Sequence, residues 1–179
     1  HEMFHIFQTS HYSTDSYDEQ RMLNGRFSGD NPEDDVPWWN EGTAVYFSYI
    51  DYARTINDMS WFKDEMYCTL LCERDRYGNK SRLEIFKESG IKLNNITFSG
   101  NPEIIDKQIA YEIGAWFVAY LVNEHGEDKI LDIYSLYEEF GFEKSFEIQF
   151  GKDYRTYLEE FYEFLDLSED QIMGILLSK

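Results

Sequence analysis

The stretch that most constrains the fold is NPEIIDKQIAYEIGAWFVAYLVNEHG, residues 101–126. Asn101 is suited to cap a helix, and Pro102 fits the first helical position, where its missing N–H is no loss. Ile109, Ile113, Trp116, Phe117, Tyr120 and Leu121 then fall in one apolar stripe until Gly126 stops the run. A stripe of that width has to be buried against other elements, and the rest of the chain offers helices for the purpose.

Residues 1–8 carry Met3, Phe4, Ile6 and Phe7 around the two histidines without a Gly or Pro and read as the first turns of a buried helix. Residues 9–36 are rich in Ser, Asp, Asn and Gly and read as a long polar loop with room for one short helix. Pro37 opens a second buried helix in which Trp38, Glu41, Val45 and Ser48 share a face, with Ala44, Phe47 and Ile50 adding apolar surface. Further helices are expected from about Ser60 to Arg74 and over RLEIFKESG. The C-terminal third adds EDKILDIYSLYEEFG, FEKSFEIQFG, DYRTYLEEFYEFL and SEDQIMGILLSK. Gly141 and Gly151 end two of these, and Ser168 with Gln171 forms a capping box for the last. No run reads as a strand and no internal repeat is present, so the class is mainly α.

Hydrophobic residues make up 42% and aromatics 18% of 179 residues, enough to bury the core of one domain, 1–179. The net charge of −19 is spread along the chain, which makes nucleic acid and anionic membranes poor partners. No apolar run reaches the roughly 20 residues that span a bilayer. Cys68 and Cys72, four apart in a helical pattern, read as two small buried apolar side chains rather than a disulfide framework. His11 falls in the polar loop and is expected to be solvated. His125 falls in the last turn of its helix, where the dipole favours a cation. Tyr154, Tyr157, Phe161 and Phe164 read as a core stripe.

The chemistry is concentrated in HEMFHIFQ. On a helix, His1 and His5 lie on one face about 6 Å apart and can both offer a ring nitrogen to one zinc ion. Glu2 can reach a metal-bound water without being a ligand, which is the placement of a general base. A zinc site that works on substrate needs a third protein ligand, and Glu41 in PWWNEGTAVY meets the requirement. A carboxylate among Trp38, Trp39, Ala44, Val45 and Phe47 is costly to bury unless a cation offsets it. Gly42 beside it is expected to let this helix pack closely on the His1 helix.

HEMFH followed after a loop by PWWNEGTAVY, and then by YEIGAWFVAYL at residues 111–121, resembles the gluzincin zinc metallopeptidases, and within them the peptidase MA-like domains. The resemblance implies Zn2+ as cofactor, with His1, His5 and Glu41 as its ligands and Glu2 as general base. Tyr111 stands where such enzymes place a phenol that hydrogen bonds the developing oxyanion. A peptide or protein substrate and an extracellular or cell-envelope location are implied with it. Gluzincins carry a β-sheet ahead of the HExxH helix, so the resemblance implies the helical C-terminal part of a catalytic domain whose upstream sheet is absent from this chain. It also implies regions: active-site helix 1–8, polar loop 9–36, third-ligand helix 37–56 and helical subdomain 57–179. Two features depart from the pattern. Val45, four residues after Glu41, offers no carboxylate to orient a ligand histidine, and 35 residues separate His5 from Glu41. The expected activity is hydrolysis of peptide bonds by a metal-activated water. The alternative is a helical binding module that keeps the zincin skeleton without turnover; a purely structural zinc is disfavoured because three ligands leave a position open.

Overall fold

The computed structural model of the chain describes residues 1–23, 36–73, 78–96 and 104–177. Helix α6 (Ile104–His125) is its centre. Ile109, Ala110, Ile113, Ala115, Trp116, Phe117, Val118, Ala119 and Leu121 are all buried, so α6 is covered on most sides rather than along one stripe, and Tyr120 is only partly covered. A helix apolar all round belongs in the interior. The expected cap at Asn101 and Pro102 lies outside the described residues.

Around α6 lie α1 (Glu2–Thr9), α2 (Tyr17–Leu23), α3 (Pro37–Thr55), α4 (Met59–Leu70), α5 (Arg82–Ser89), α7 (Glu127–Asp132), α8 (Tyr137–Phe150), α9 (Tyr154–Phe164) and α10 (Glu169–Gly174). Among the described residues, 3-10 turns at Leu93–Asn95, Ile133–Leu136 and Ile175–Leu177 link or end them. Among the described residues no β-strand occurs, and no helix is long and apolar enough to cross a membrane. The mainly α class holds.

The principal packing is α3 against α6. A Cβ built on Gly42 would lie 2.3 Å from the carbonyl carbon of Gly114, and one on Gly114 would lie 2.2 Å from the carbonyl oxygen of Trp38. Hydrogen in place of a side chain on both helices is what permits this crossing. Gly42 therefore faces α6, not the His1 helix as the sequence suggested. On either side of the crossing, Trp38 packs edge-on to Phe117 at 5.4 Å and Trp39 edge-on to Phe146 at 5.6 Å. Tyr154, Tyr157, Phe161 and Phe164 of α9 are buried beneath them, as the core stripe requires.

Local signals set most helix ends. Asp58 accepts the Ser60 and Trp61 N–H groups at the start of α4, and Asp153 does the same for Arg155 and Thr156 at α9. Gln171 accepts from both the N–H and the hydroxyl of Ser168. Gly141, at φ 67° and ψ 176°, breaks the α8 run where a stop was expected, and Gly151 ends it in the left-handed region. The polar loop carries the short α2, and its residues 24–35 lie outside those described.

Further expectations fail. Helix α1 is not buried at all its apolar positions, since Met3 is 77% and Ile6 61% exposed. Cys68 is exposed and forms a disulfide with Cys72, across a Cα–Cα distance of 4.5 Å; α4 ends at Leu70 and leaves Cys72 beyond the helix. His125 does sit in the last turn of α6, but burial pulls its pKa below the ordinary imidazole value. Its ring packs on Phe150 and its Nε2 lies 2.8 Å from the Tyr157 hydroxyl, so desolvation outweighs the helix dipole there.

Candidate metal centre

Three elements meet at the site. Helix α1 presents His1 and His5 on one face, with ring centroids 4.7 Å apart. Helix α3 presents Glu41 from the turn that packs on α6. Helix α6 contributes Tyr111, whose ring lies nearly parallel to that of His1 at 5.5 Å and 17°. The Gly42–Gly114 crossing sets this arrangement, since Glu41 precedes Gly42 and Tyr111 lies one turn before Gly114. The five residues singled out in the sequence are thus brought together, and His1, Glu2 and His5 each offer a donor atom within 4.8 Å of one another.

The carboxylate of Glu41 is 3% exposed, and its Oε2 lies 3.1 Å from His1 Nε2 and 3.2 Å from His5 Nε2. The outer ring nitrogens have their own partners. His5 Nδ1 is 2.6 Å from Gln8 Oε1, and His1 Nδ1 is 3.0 Å from Glu2 Oε1. Glu2 itself is 89% exposed and sits on the side of His1 away from Glu41. Its carboxylate can swing at the expense of one solvent-facing contact.

The partners decide where the protons are. Gln8 is buried, and its Nε2 lies 3.0 Å from the Asn40 carbonyl oxygen, which can only accept. That end of the amide is therefore the NH2, and Oε1 is the end that meets His5. Since Oε1 only accepts, His5 Nδ1 carries the hydrogen, while Nε2 stands at hydrogen-bonding distance from Glu41 Oε2, where a proton on Nε2 or a bound cation would have to lie. A carboxylate on Nδ1 gives His1 the same tautomer. Its buried Nε2 faces Glu41 without an aligned hydrogen bond. Both Nε2 atoms therefore lie against one oxygen of a buried carboxylate. Such a set is unfavourable unless protons or a cation lie among them.

Two of the three donor–donor separations match a zinc site. Tetrahedral ligands at about 2.0–2.1 Å from the ion stand about 3.3 Å from each other. The nitrogen-to-oxygen separations of 3.1 and 3.2 Å are close to that edge. Two neutral imidazoles and one carboxylate suit a divalent ion of borderline hardness. Glu2, on the outer nitrogen, is not part of the converging set.

A cleft of about 420 Å³ opens beside His1, with Phe4, Phe7 and Phe47 in its wall and Asp51, Arg54 and Glu127 at its rim. Arg54 bridges to both carboxylate oxygens of Glu127, at 2.8 and 2.7 Å. Phe4 and Phe47 stack at 4.9 Å, joining α1 to α3 through their side chains.

Gln8 is the residue that sequence reasoning missed. Its signal was present: an amide three residues after His5, in a helix otherwise expected to bury apolar side chains. Its Oε1 meets His5 Nδ1, a contact that Val45 cannot make. His11 also departs from expectation. Its ring packs edge-on to Phe7 at 4.6 Å and its Nδ1 contacts the Phe7 carbonyl, so it is part-buried rather than solvated. His11 and His125 stand outside the converging set.

Compared with protein families, curated proteins and solved structures, the chain matches none.

Proposed function

We propose that the chain carries a zinc-dependent hydrolytic site acting on peptide bonds, with His1, His5 and Glu41 as ligands. The observation that supports this most is the convergence of the two Nε2 atoms on one Glu41 oxygen while both Nδ1 atoms are held by acceptors. Zinc, when bound, supplies the Lewis acidity that polarises a carbonyl and acidifies water. Glu2 takes the proton from the attacking water and delivers it to the leaving amine, a task suited to an exposed carboxylate one residue from a ligand. Tyr111, stacked on His1, donates its phenol hydrogen to the oxyanion. The apolar cleft beside His1 offers a wall for a substrate side chain.

One observation favours a second reading, a binding module without turnover: Glu2 rests against the outer nitrogen of His1. The two readings part in one assay, hydrolysis of a mixed peptide library read by mass spectrometry with zinc measured on the same samples. The enzyme reading expects cleavage by the unmutated chain and loss of several orders of magnitude in Glu2→Gln, with zinc retained. Zinc-loaded chain that cleaves no peptide favours the binding module, and full activity in Glu2→Gln removes Glu2 from the mechanism.

A further inference from the structure

Gln8 is buried to 1% exposure, a place where an amide is tolerated only when its hydrogen-bonding capacity is used. It is used in full. Oε1 accepts from His5 Nδ1 at 2.6 Å. Nε2 faces three oxygens: the Asn40 carbonyl at 3.0 Å, Thr43 Oγ1 at 2.8 Å and Tyr134 Oη at 3.0 Å. Thr43 and Tyr134 are themselves 2.9 Å apart, and the Thr43 hydroxyl also reaches the Trp39 and Asn40 carbonyls. One side chain thus joins the ring of a candidate ligand on α1 to the α3 backbone next to another, Glu41. It also ties both to the 3-10 turn that carries Tyr134.

We propose that Gln8 is a positioning residue for the metal centre: it fixes His5 with Nε2 toward the ion and holds α1 and α3 at ligand spacing. This rests on the reading of His1, His5 and Glu41 as zinc ligands. The amide suits both tasks, because its oxygen serves the ring and its nitrogen serves the helix. A carboxylate at the same place keeps the first task and loses the second, since a second oxygen would meet the Asn40 carbonyl. A leucine of similar bulk loses both.

The test uses the whole chain and the variants Gln8→Glu and Gln8→Leu, with three readouts. Thermal unfolding reports the tie between helices, zinc affinity by chelator competition reports the site, and ring 15N shifts of His5 in metal-free protein report its tautomer in mildly alkaline buffer. Both variants should melt below the unmutated chain. Gln8→Glu should keep the Nδ1–H tautomer and lose less zinc affinity than Gln8→Leu, because only the tie between the helices is removed. Gln8→Leu, folded by circular dichroism, should show mixed tautomers and bind zinc about 10–100-fold more weakly, the range for losing a partner that orients a ligand. Equal zinc loss in both variants makes Gln8 a packing residue only and overturns the proposal. So does an unchanged tautomer in Gln8→Leu. The tautomer is read without metal, so failure of the zinc reading, seen as no binding by the unmutated chain, is distinguishable from failure of the role assigned to Gln8.

Discussion

Gly42 and Gly114 meet backbone to backbone: a methyl group on Gly42 would stand 2.3 Å from the carbonyl carbon of Gly114. The consequence reaches the site, because Glu41 adjoins one glycine and Tyr111 lies a turn from the other. Gly114→Ala has no flexible neighbour to displace, since the nearest atom is the Trp38 carbonyl oxygen at 2.2 Å. We expect it to lower stability by about 1–3 kcal/mol, the usual range for overpacking, and to weaken zinc binding as α3 shifts. Denaturant unfolding and chelator competition measure the two effects. An alanine variant with unchanged midpoint and affinity contradicts this account of the crossing.

Tyr111→Phe keeps the ring that stacks on His1 and removes only the hydroxyl. If the phenol serves the oxyanion, turnover falls by about 10²-fold while zinc content and melting temperature stay level. Steady-state kinetics on a cleaved library peptide decide it. Turnover within twofold of the unmutated chain assigns Tyr111 to packing.

His125 gives a pH dependence with a defined sign. Burial holds its folded-state pKa below the ordinary 6.5, with Lys152 and Lys129 acting in the same direction and Glu124 against them. The neutral ring is therefore the form the fold prefers. Its contribution to stability is complete above about pH 6.5 and declines as pH falls below that value toward the folded pKa. His125→Phe should lose less melting temperature than the unmutated chain between about pH 7 and pH 5. A steeper acid decline in the variant reverses the sign and refutes the argument.

Much of the fold was legible because its signals are local. Pro37 at the start of α3, Gly126 after α6, Gly141 within α8 and the Ser168–Gln171 pair each act within a few residues. His1, Glu2 and His5 stand out by residue type and spacing on one helix, and Glu41 by being an acid among tryptophans on a second, whereas Tyr111 stands out only through the resemblance. What was not legible depends on partners far along the chain. Nothing near Gly42 says that Gly114 faces it. Gln8 gains its role only when Asn40, Thr43 and Tyr134 close around it. For His125 the helix dipole is visible in sequence, whereas the ring of Phe150 and the hydroxyl of Tyr157 are not. Cys68 and Cys72 stand at helical spacing in the sequence, but α4 ends at Leu70, between them, a local stop that no Gly or Pro announces.

The central claim is that the chain binds one divalent ion through His1, His5 and Glu41, and zinc stoichiometry tests it most directly. The purified chain, equilibrated with zinc and dialysed, should retain about one ion per molecule by elemental analysis. Glu41→Ala, handled in parallel and folded by circular dichroism, should retain almost none. No stoichiometric zinc on the folded, unmutated chain would contradict the account, and so would equal retention by Glu41→Ala.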